Sequence, residues 1–452
     1  MTPPTDNRSL SFRSKTKGSV SFSIHSFGNR RTIFVEIDGD DRGALRPSDG
    51  EKLAIAAQTA REQRIPIICF VSSSGAAVEE GIAAVHGWGT AARDFVACSG
   101  LVPIIFCVTG PTVSGPALLL GLADIVIMIE EAYAFVSGPL MVEQFTGEEL
   151  SNEALGGTGI HLRTSGVAHF TTANRDEANE LVEEILSYLP DHADNEPPKW
   201  ACTDPIDRST PETSDLLPSS TSGSYDIREI MNCVVDDNHL LELRSQWATN
   251  LVTAFATIGG RPIGMVANQP QSIAGTLDIG ASQKGARFVA FCDAFNLPLI
   301  TFVDTSGFYP GKDLEWRGMI RYGAQMAFSY ARATVPRICV TIRKSYGGAY
   351  IVMDSKYMGN DVMLAWPSAE IAVMGARGAV SILNREASDA KKLELETEYE
   401  ERLLNPYVAA ERGSVDRVIE PSETRSEIAS ALEMLTSKRE RLRKRRHDNT
   451  PL

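Results

Sequence analysis

Few of the residues that build metal centres or disulfide frameworks are present in this 452-residue chain. Its seven cysteines form no C-x-x-C pair. Five of them (Cys69, Cys98, Cys107, Cys292 and Cys339) sit in or beside apolar runs, a placement that suits buried, reduced thiols. The seven histidines are scattered, with His161 and His169 the nearest pair. No metal is therefore expected in this chain, and both of these histidines are read as structural. Long apolar runs are also lacking. The longest candidate, Ala117 to Ile129, is broken by Gly121 and Asp124, well short of the roughly 18 uninterrupted residues of a spanning helix. The opening MTPPTDNRSLSFRSKTKG carries basic residues but no apolar h-region. A cytoplasmic enzyme without a membrane partner is expected.

Positive charge is in short supply: 44 Lys and Arg face 58 Asp and Glu, a formal charge of -14. Such a field repels phosphate and argues against generic nucleic-acid binding. An anionic substrate then needs a local basic or amide-lined site. The basic tail KRERLRKRRH (438–447) follows Ile428, Leu432 and Leu435 at helical spacing, and reads as the C-terminal end of an amphipathic helix. Familiar catalytic templates are missing too. Neither Ser114 nor Ser306 sits in a G-x-S-x-G elbow. GFYPGKD at 307–313 has the wrong length and ending for a phosphate loop, and no G-x-G-x-x-G opens a helix after a strand.

What is present is a duplication. A Pro-, Ser-, Thr- and Asp-rich stretch, 189–225, cannot bury much apolar surface and reads as a boundary. It divides the chain into an N-terminal domain, 1–195, a linker, 196–225, and a C-terminal domain, 226–452. In the first, IPIICFVSSSG ends at Gly75; in the second, LPLITFVDTSG ends at Gly307. Both are short β-branched runs closing on small residues, the pattern of a buried strand entering a tight turn. A helical segment and a second, Pro-introduced strand follow, VPIIFCVTG and VPRICVTIR. Next comes a small-residue turn, Ser114-Gly115 and Gly347-Gly348, and then a third strand, within ADIVIMIEEAYAFVSGP and DVMLAWPSAEIAVMGA. Landmarks recurring in order at nearly equal separations indicate an internal repeat. Strands alternating with helices argue for stacked βα units with right-handed crossovers.

Small residues where a strand turns into a helix leave main-chain N–H groups open to a ligand. There the helix dipole favours negative charge. Such a site holds an oxyanion without an ionisable side chain. The expected donors are Ser114 and Gly115 in the first half and Gly348 and Ala349 in the second; the plainer alternative is tight helix–strand packing. With no obvious nucleophile, the pattern points to enolate or thioester-oxyanion chemistry.

The second half carries RPIGMVANQP, SQKGARFVAFCDAFNLPLITFVDTSGFYPG, RKSYGGAY and AWPSAEIAVMGARGAV. These runs resemble the carboxyltransferase (β) subunits of biotin-dependent acyl-CoA carboxylases of the propionyl- and acetyl-CoA type. The first half resembles them more loosely, through SGLVPIIFCVTGPTVSGPALLLGLADIVIMI and LRTSGVAHF. The resemblance covers roughly residues 50–452. It implies an α/β fold of two tandem crotonase-like (ClpP/crotonase) domains with stacked ββα units, in a homo-hexamer built as a trimer of dimers. It also implies transfer of CO2 from carboxybiotin to the α-carbon of a short acyl-CoA. The biotin rides on a separate carrier, which makes a biotin carboxylase or biotin carrier subunit the partner.

By position, the same resemblance places the thioester oxyanion on Ser114 and Gly115 and the biotin ureido oxygen on Gly348 and Ala349. Gly75, Ala76 and Ile351 fall on the acyl-CoA side, and Gly307, Phe308 and Tyr346 on the biotin side. The chain departs from the pattern in places. Ser72 to Ala77 read S-S-S-G-A-A where the family reads D-S-G-G-A-R, and Ser114 replaces a Gly. Ser306 replaces a common Pro, and Ile351 stands where many propionyl-preferring relatives have Asp. Two alternatives stay open: a decarboxylase of the same fold acting on malonyl-type thioesters, and a non-catalytic paralogue that assembles with an intact β subunit.

Overall fold

The structure, a computed structural model, describes residues 11–12, 18–38, 40–220, 223–438, 440, 442 and 446–451. The chain separates into two compact units, Met1–Pro197 and Pro198–Leu452.

In the first unit the strands are β1 (Ser11–Phe12), β2 (Val20–Phe27), β3 (Arg30–Ile37), β4 (Ile67–Ser73), β5 (Ile104–Val113), β6 (Ile125–Ile129), β7 (Tyr133–Phe135) and β8 (Phe170–Thr172). They form one sheet ordered β1-β2-β3-β4-β5-β6-β8, with β7 beside β5. β2 and β3 pair antiparallel, and from β3 onward every pairing is parallel. The chain returns between parallel strands through helices α1 (Pro47–Gln63), α2 (Ile82–Cys98) and α3 (Gly115–Leu120), and α4 (Arg175–Tyr188) follows β8. Burial explains the β-branched runs: Ile67, Ile68, Ile104 and Ile105 are all fully buried, as central parallel strands require.

The second unit repeats the plan with β9 (Leu241–Glu242), β10 (Leu251–Ile258), β11 (Arg261–Asn268), β12 (Leu299–Thr305), β13 (Arg337–Tyr346), β14 (Val362–Ala365), β15 (Glu370–Ala372) and β16 (Arg417–Val418). Their order is β16-β14-β13-β12-β11-β10-β9, with β15 beside β13. Helices α5 (Ile279–Ala294), α6 (Met319–Arg332), α7 (Gly347–Val352) and α8 (Thr424–Met434) accompany it. Asp278 caps α5, its carboxylate accepting from Ala281 N–H at 2.8 Å.

The duplication extends to the register. β4 pairs with β5 as far as Val71↔Val108, skips, and resumes at Ser73↔Thr112. β12 pairs with β13 as far as Val303↔Thr341, skips, and resumes at Thr305↔Ser345. The same irregularity therefore recurs 232 positions later on one strand and 233 on the other. Each expected third strand is in fact two short ones, β6 with β7 and β14 with β15. The inner half of β5 pairs with β6 and its outer half with β7, and β13 does the same with β14 and β15.

The tandem α/β architecture and the five buried cysteines match the sequence reading. The stretch 198–225 is held by polar contacts within the second unit. Trp200 N–H donates to Gly260 O at 2.7 Å, and Thr210 N–H to Ser422 O at 2.9 Å. The fully buried Arg425 donates to Pro205 O at 3.1 Å. At the other end, α8 stops at Met434 and a single 3-10 turn ends at Ser437, so the expected helix does not run into the basic tail. Residues 439, 441 and 443–445 of that tail, like most of the N-terminal eighteen, lie outside the described residues. Among the described residues, no helix is long and apolar enough to cross a membrane.

Candidate active site

In the first unit β4 runs past Ser73 into Gly75, Ala76 and Ala77. An isolated parallel bridge joins Ala76 to Leu45. Leu45 N–H donates to Gly75 O at 2.8 Å, and Ala77 N–H to Leu45 O at 2.9 Å. A parallel bridge uses the groups flanking its central residue, so the N–H of Ala76 faces the opposite side, toward the end of β5. That side holds the second turn. A Cβ added to Gly75 would lie 3.4 Å from Val113 O and 3.6 Å from the Ser114 side chain. At the turn Ser114 takes φ 61 and ψ -123, and α3 begins at Gly115. Gly115 N–H is the first of the helix's N-terminal donors, which have no partner inside a helix.

The second unit reproduces these contacts. Leu277 bridges Phe308 in parallel. Leu277 N–H donates to Gly307 O at 3.0 Å, and Tyr309 N–H to Leu277 O at 2.9 Å. The Phe308 N–H then faces as that of Ala76 does. Gly347 takes φ +56 and opens α7, and its N-cap Tyr346 provides no side-chain cap. Gly348 and Ala349 are the second and third residues of that helix, so their N–H groups also lack helical partners. Gly348 is exposed, whereas the Ala349 side chain is fully buried.

One expected donor is corrected. The Ser114 N–H already donates to Phe135 O at 2.9 Å, continuing the pairing of β5 with β7, and is not available to a ligand. Gly115 keeps its place at the turn, and Ala76, expected on the substrate side, supplies the N–H that faces it. Ser114, Gly115, Pro116 and Ala76 line one apolar pocket, none of whose lining residues is ionisable. In the second unit Phe308 adjoins Gly348: a Cβ on Gly348 would meet the Phe308 ring at 3.1 Å, whereas one on Gly307 would meet nothing within 4 Å. Tyr346 contributes its backbone. Its ring is buried and its hydroxyl donates to Glu370; burial, and after it the Glu370 carboxylate, pushes the phenol pKa up. Ile351 lies on α7 at 47% exposure, on the surface beside the turn.

Two features at the turns went unmarked in the sequence reading. Trp88, on α2, sets its indole edge against the first turn; a Cβ on Gly115 would meet that ring at 2.6 Å. Beneath the second turn, Asp304 accepts from Arg343 Nε at 2.8 Å, from Tyr225 OH at 2.9 Å and from Lys344 N–H at 3.1 Å. The Arg343 guanidinium lies 4.8 Å from the centre of the Tyr225 ring and donates to Gly223 O at 2.8 Å. Arg343 is thus a buried strut. A strand-borne Asp two residues before a Ser-Gly turn, with an Arg on the next strand, is the pattern that points to such a pair. The histidines are structural, as expected. His161 bonds Ser165 and Ala134 O at 2.7 and 2.8 Å, and His169 Nδ1 accepts from Val126 N–H at 3.0 Å.

Known proteins are similar to this chain. Residues 28–450 match the family described as carboxyl transferase domain. The carboxyltransferase subunit of propionyl-CoA carboxylase from Haloferax mediterranei is 41% identical over 450 residues, covering 97% of this chain and 87% of that protein. The beta5 subunit of the biotin-dependent acetyl-/propionyl-coenzyme A carboxylase of Mycobacterium tuberculosis is 42% identical over 428 residues, covering 91% and 78%. Among solved structures, the hexameric transcarboxylase 12S with hydrolysed methylmalonyl-coenzyme A bound superposes with a TM-score of 0.93 at 39% identity. That match covers 96% of this chain and 85% of the other.

Proposed function

The chain belongs to the carboxyl transferase family, and from that premise we propose that it is the carboxyltransferase component of a biotin-dependent acyl-CoA carboxylase. The observation that carries the proposal is the pair of equivalent amide-lined turns, one per unit, repeated down to single hydrogen bonds. Each offers N–H donors, and the lining of the first holds no ionisable residue, which fits oxygen atoms that gain charge during the reaction and are neutral before it. In the first unit the Ala76 and Gly115 N–H groups receive the thioester oxygen as the α-carbon becomes an enolate. In the second, Gly348 and Ala349, with Phe308 beside them, receive the ureido oxygen of biotin.

Carboxybiotin, carried on a separate subunit, supplies the CO2 and the nitrogen that takes the α-proton. The protein's own contribution is then positioning and fixed dipoles, without a side-chain base. The donor sets fit both ligands, since thioester and ureido oxygens are hydrogen-bond acceptors. A hexamer, as in transcarboxylase 12S, is the proposed assembly, and a biotin carboxylase or biotin carrier subunit the proposed partner. The test mixes the purified chain with carboxybiotin-loaded carrier protein and a panel of acyl-CoAs, and follows labelled bicarbonate into product. Incorporation that requires both carrier and acyl-CoA is the expected result. Loss of CO2 from malonyl-type thioesters without any carrier-dependent incorporation would identify a decarboxylase.

A further inference from the structure

The first unit's pocket has a size and a lining that bear on the acyl chain. Its volume is about 200 Å3, and Ala76, Ser114 and Gly115, beside which the proposed reaction sets the thioester oxygen, are among its lining residues. Its lining also includes the side chains of Val85 and Trp88 from α2, Leu118 from α3, and Val136. All are apolar there, and Val85, Leu118 and Val136 are 50%, 48% and 56% exposed. Contiguous exposed apolar walls around a cavity are the signature of a site awaiting an apolar ligand.

Volume selects the ligand. An apolar cavity of about 150 Å3 accommodates benzene, with its six carbons. The single methyl group that propionyl carries beyond its α-carbon would leave most of this larger cavity empty, and the walls would forfeit contacts they can otherwise make. An aliphatic chain of four to six carbons beyond the α-carbon fills it.

We infer that the pocket binds the alkyl chain of a medium-length acyl-CoA, hexanoyl to octanoyl, in place of the short acyl group that the family resemblance implies. The inference rests on the carboxyltransferase reading for what happens at the α-carbon, but not for what the pocket binds. Each methylene drawn into the pocket tightens binding by up to ~4-fold, so hexanoyl-CoA exceeds propionyl-CoA by about tenfold or more.

The experiment has two arms on the full-length assembled protein. Calorimetric titration with acetyl-, propionyl-, hexanoyl- and octanoyl-CoA measures binding alone. Competitive carboxylation of the same mixture, with carboxybiotin-loaded carrier and products separated by mass spectrometry, measures turnover. Affinity and kcat/KM rising together from acetyl to hexanoyl support the inference, as does a Val85→Phe variant in which the hexanoyl-to-propionyl ratio falls toward one. A Leu118→Ala variant, expected to shift the preference toward octanoyl, guards against misfolding of the first. Propionyl-CoA binding as tightly as hexanoyl-CoA overturns the inference even if carboxylation is observed. Tight binding of hexanoyl-CoA with no carboxylation of any thioester leaves the pocket standing and removes the proposed reaction.

Discussion

The two units carry the same turn on different supports. Ser72 and Asp304 are equivalent, 232 positions apart on β4 and β12. Gly110 and Arg343 are equivalent, 233 apart on β5 and β13. In the second unit the pair is a buried ion pair. In the first it is a hydroxyl facing a glycine, where a Cβ on Gly110 would lie 2.6 Å from Ser72 Oγ. The first unit lacks both the charge and its partner, so neither unit leaves an uncompensated buried ion. The turn residues differ likewise. Gly347 takes its positive φ freely, while Ser114 takes φ 61 with a side chain attached, at a cost of about 1–3 kcal/mol. The aromatic ring against each turn comes from the strand-end loop in one unit, Phe308, and from a helix in the other, Trp88. The backbone geometry is therefore the retained feature, and the side chains beneath it are replaceable in matched sets.

Interchanging the sets tests that view. The largest effect is expected from Asp304→Ser, which leaves the Arg343 guanidinium buried without its carboxylate and costs about 3–5 kcal/mol of stability in the second unit. Adding Arg343→Gly should recover a good part of that loss, as the first unit does naturally. Urea denaturation followed by fluorescence of the buried Trp366 reads both variants, and a double variant no better than the single one breaks the equivalence. Next comes Gly348→Val, whose side chain meets Phe308 and blocks the second turn. Transfer should fall by about 10²-fold or more, with assembly intact by light scattering; retained turnover would remove the second oxyanion site. Ser114→Gly, which gives the first turn the residue found in the second, should stabilise its unit by about 1 kcal/mol. That raises the melting temperature by about 2–4 °C, and no change would mean that Ser114 bears no strain. The smallest effect is on selectivity. Ile351→Asp should reorder the acyl-CoA panel while leaving the melting temperature within about 1 °C, since the side chain is half exposed. An unaltered order would take Ile351 out of the acyl site.

Much of this was legible in the residues. The apolar, β-branched runs before Gly75 and Gly307 could be little else than buried strands, and their recurrence gave the duplication and the place of both turns. What was not legible depends on pairing. That the Ser114 amide is consumed follows from β7 lying beside β5, and β7 is only three residues of a run that reads as one strand. Substrate-side Ala76 becomes a donor only once its bridge to Leu45 is known. The stretch 198–225 has a linker's composition, yet its carbonyls and hydroxyls meet Arg425, Arg343 and Asp304, partners up to 220 residues away in sequence. Composition measures how much apolar surface a segment can bury, not whether distant cations will satisfy its polar groups. The pocket beside the first turn was invisible for a similar reason, since its walls come from two helices and a loop.

The consumed amide of Ser114 has a practical consequence. Two neighbouring main-chain protons differ in their pairing: that of Ser114 donates to Phe135 O, and that of Gly115, at the helix start, has no partner within the helix. In deuterium exchange the first should label slowly whatever is added, and the second, if the first turn takes the thioester as proposed, more slowly once acyl-CoA is present. The pair forms a built-in clock and its reference, able to report occupancy of the first turn without any turnover.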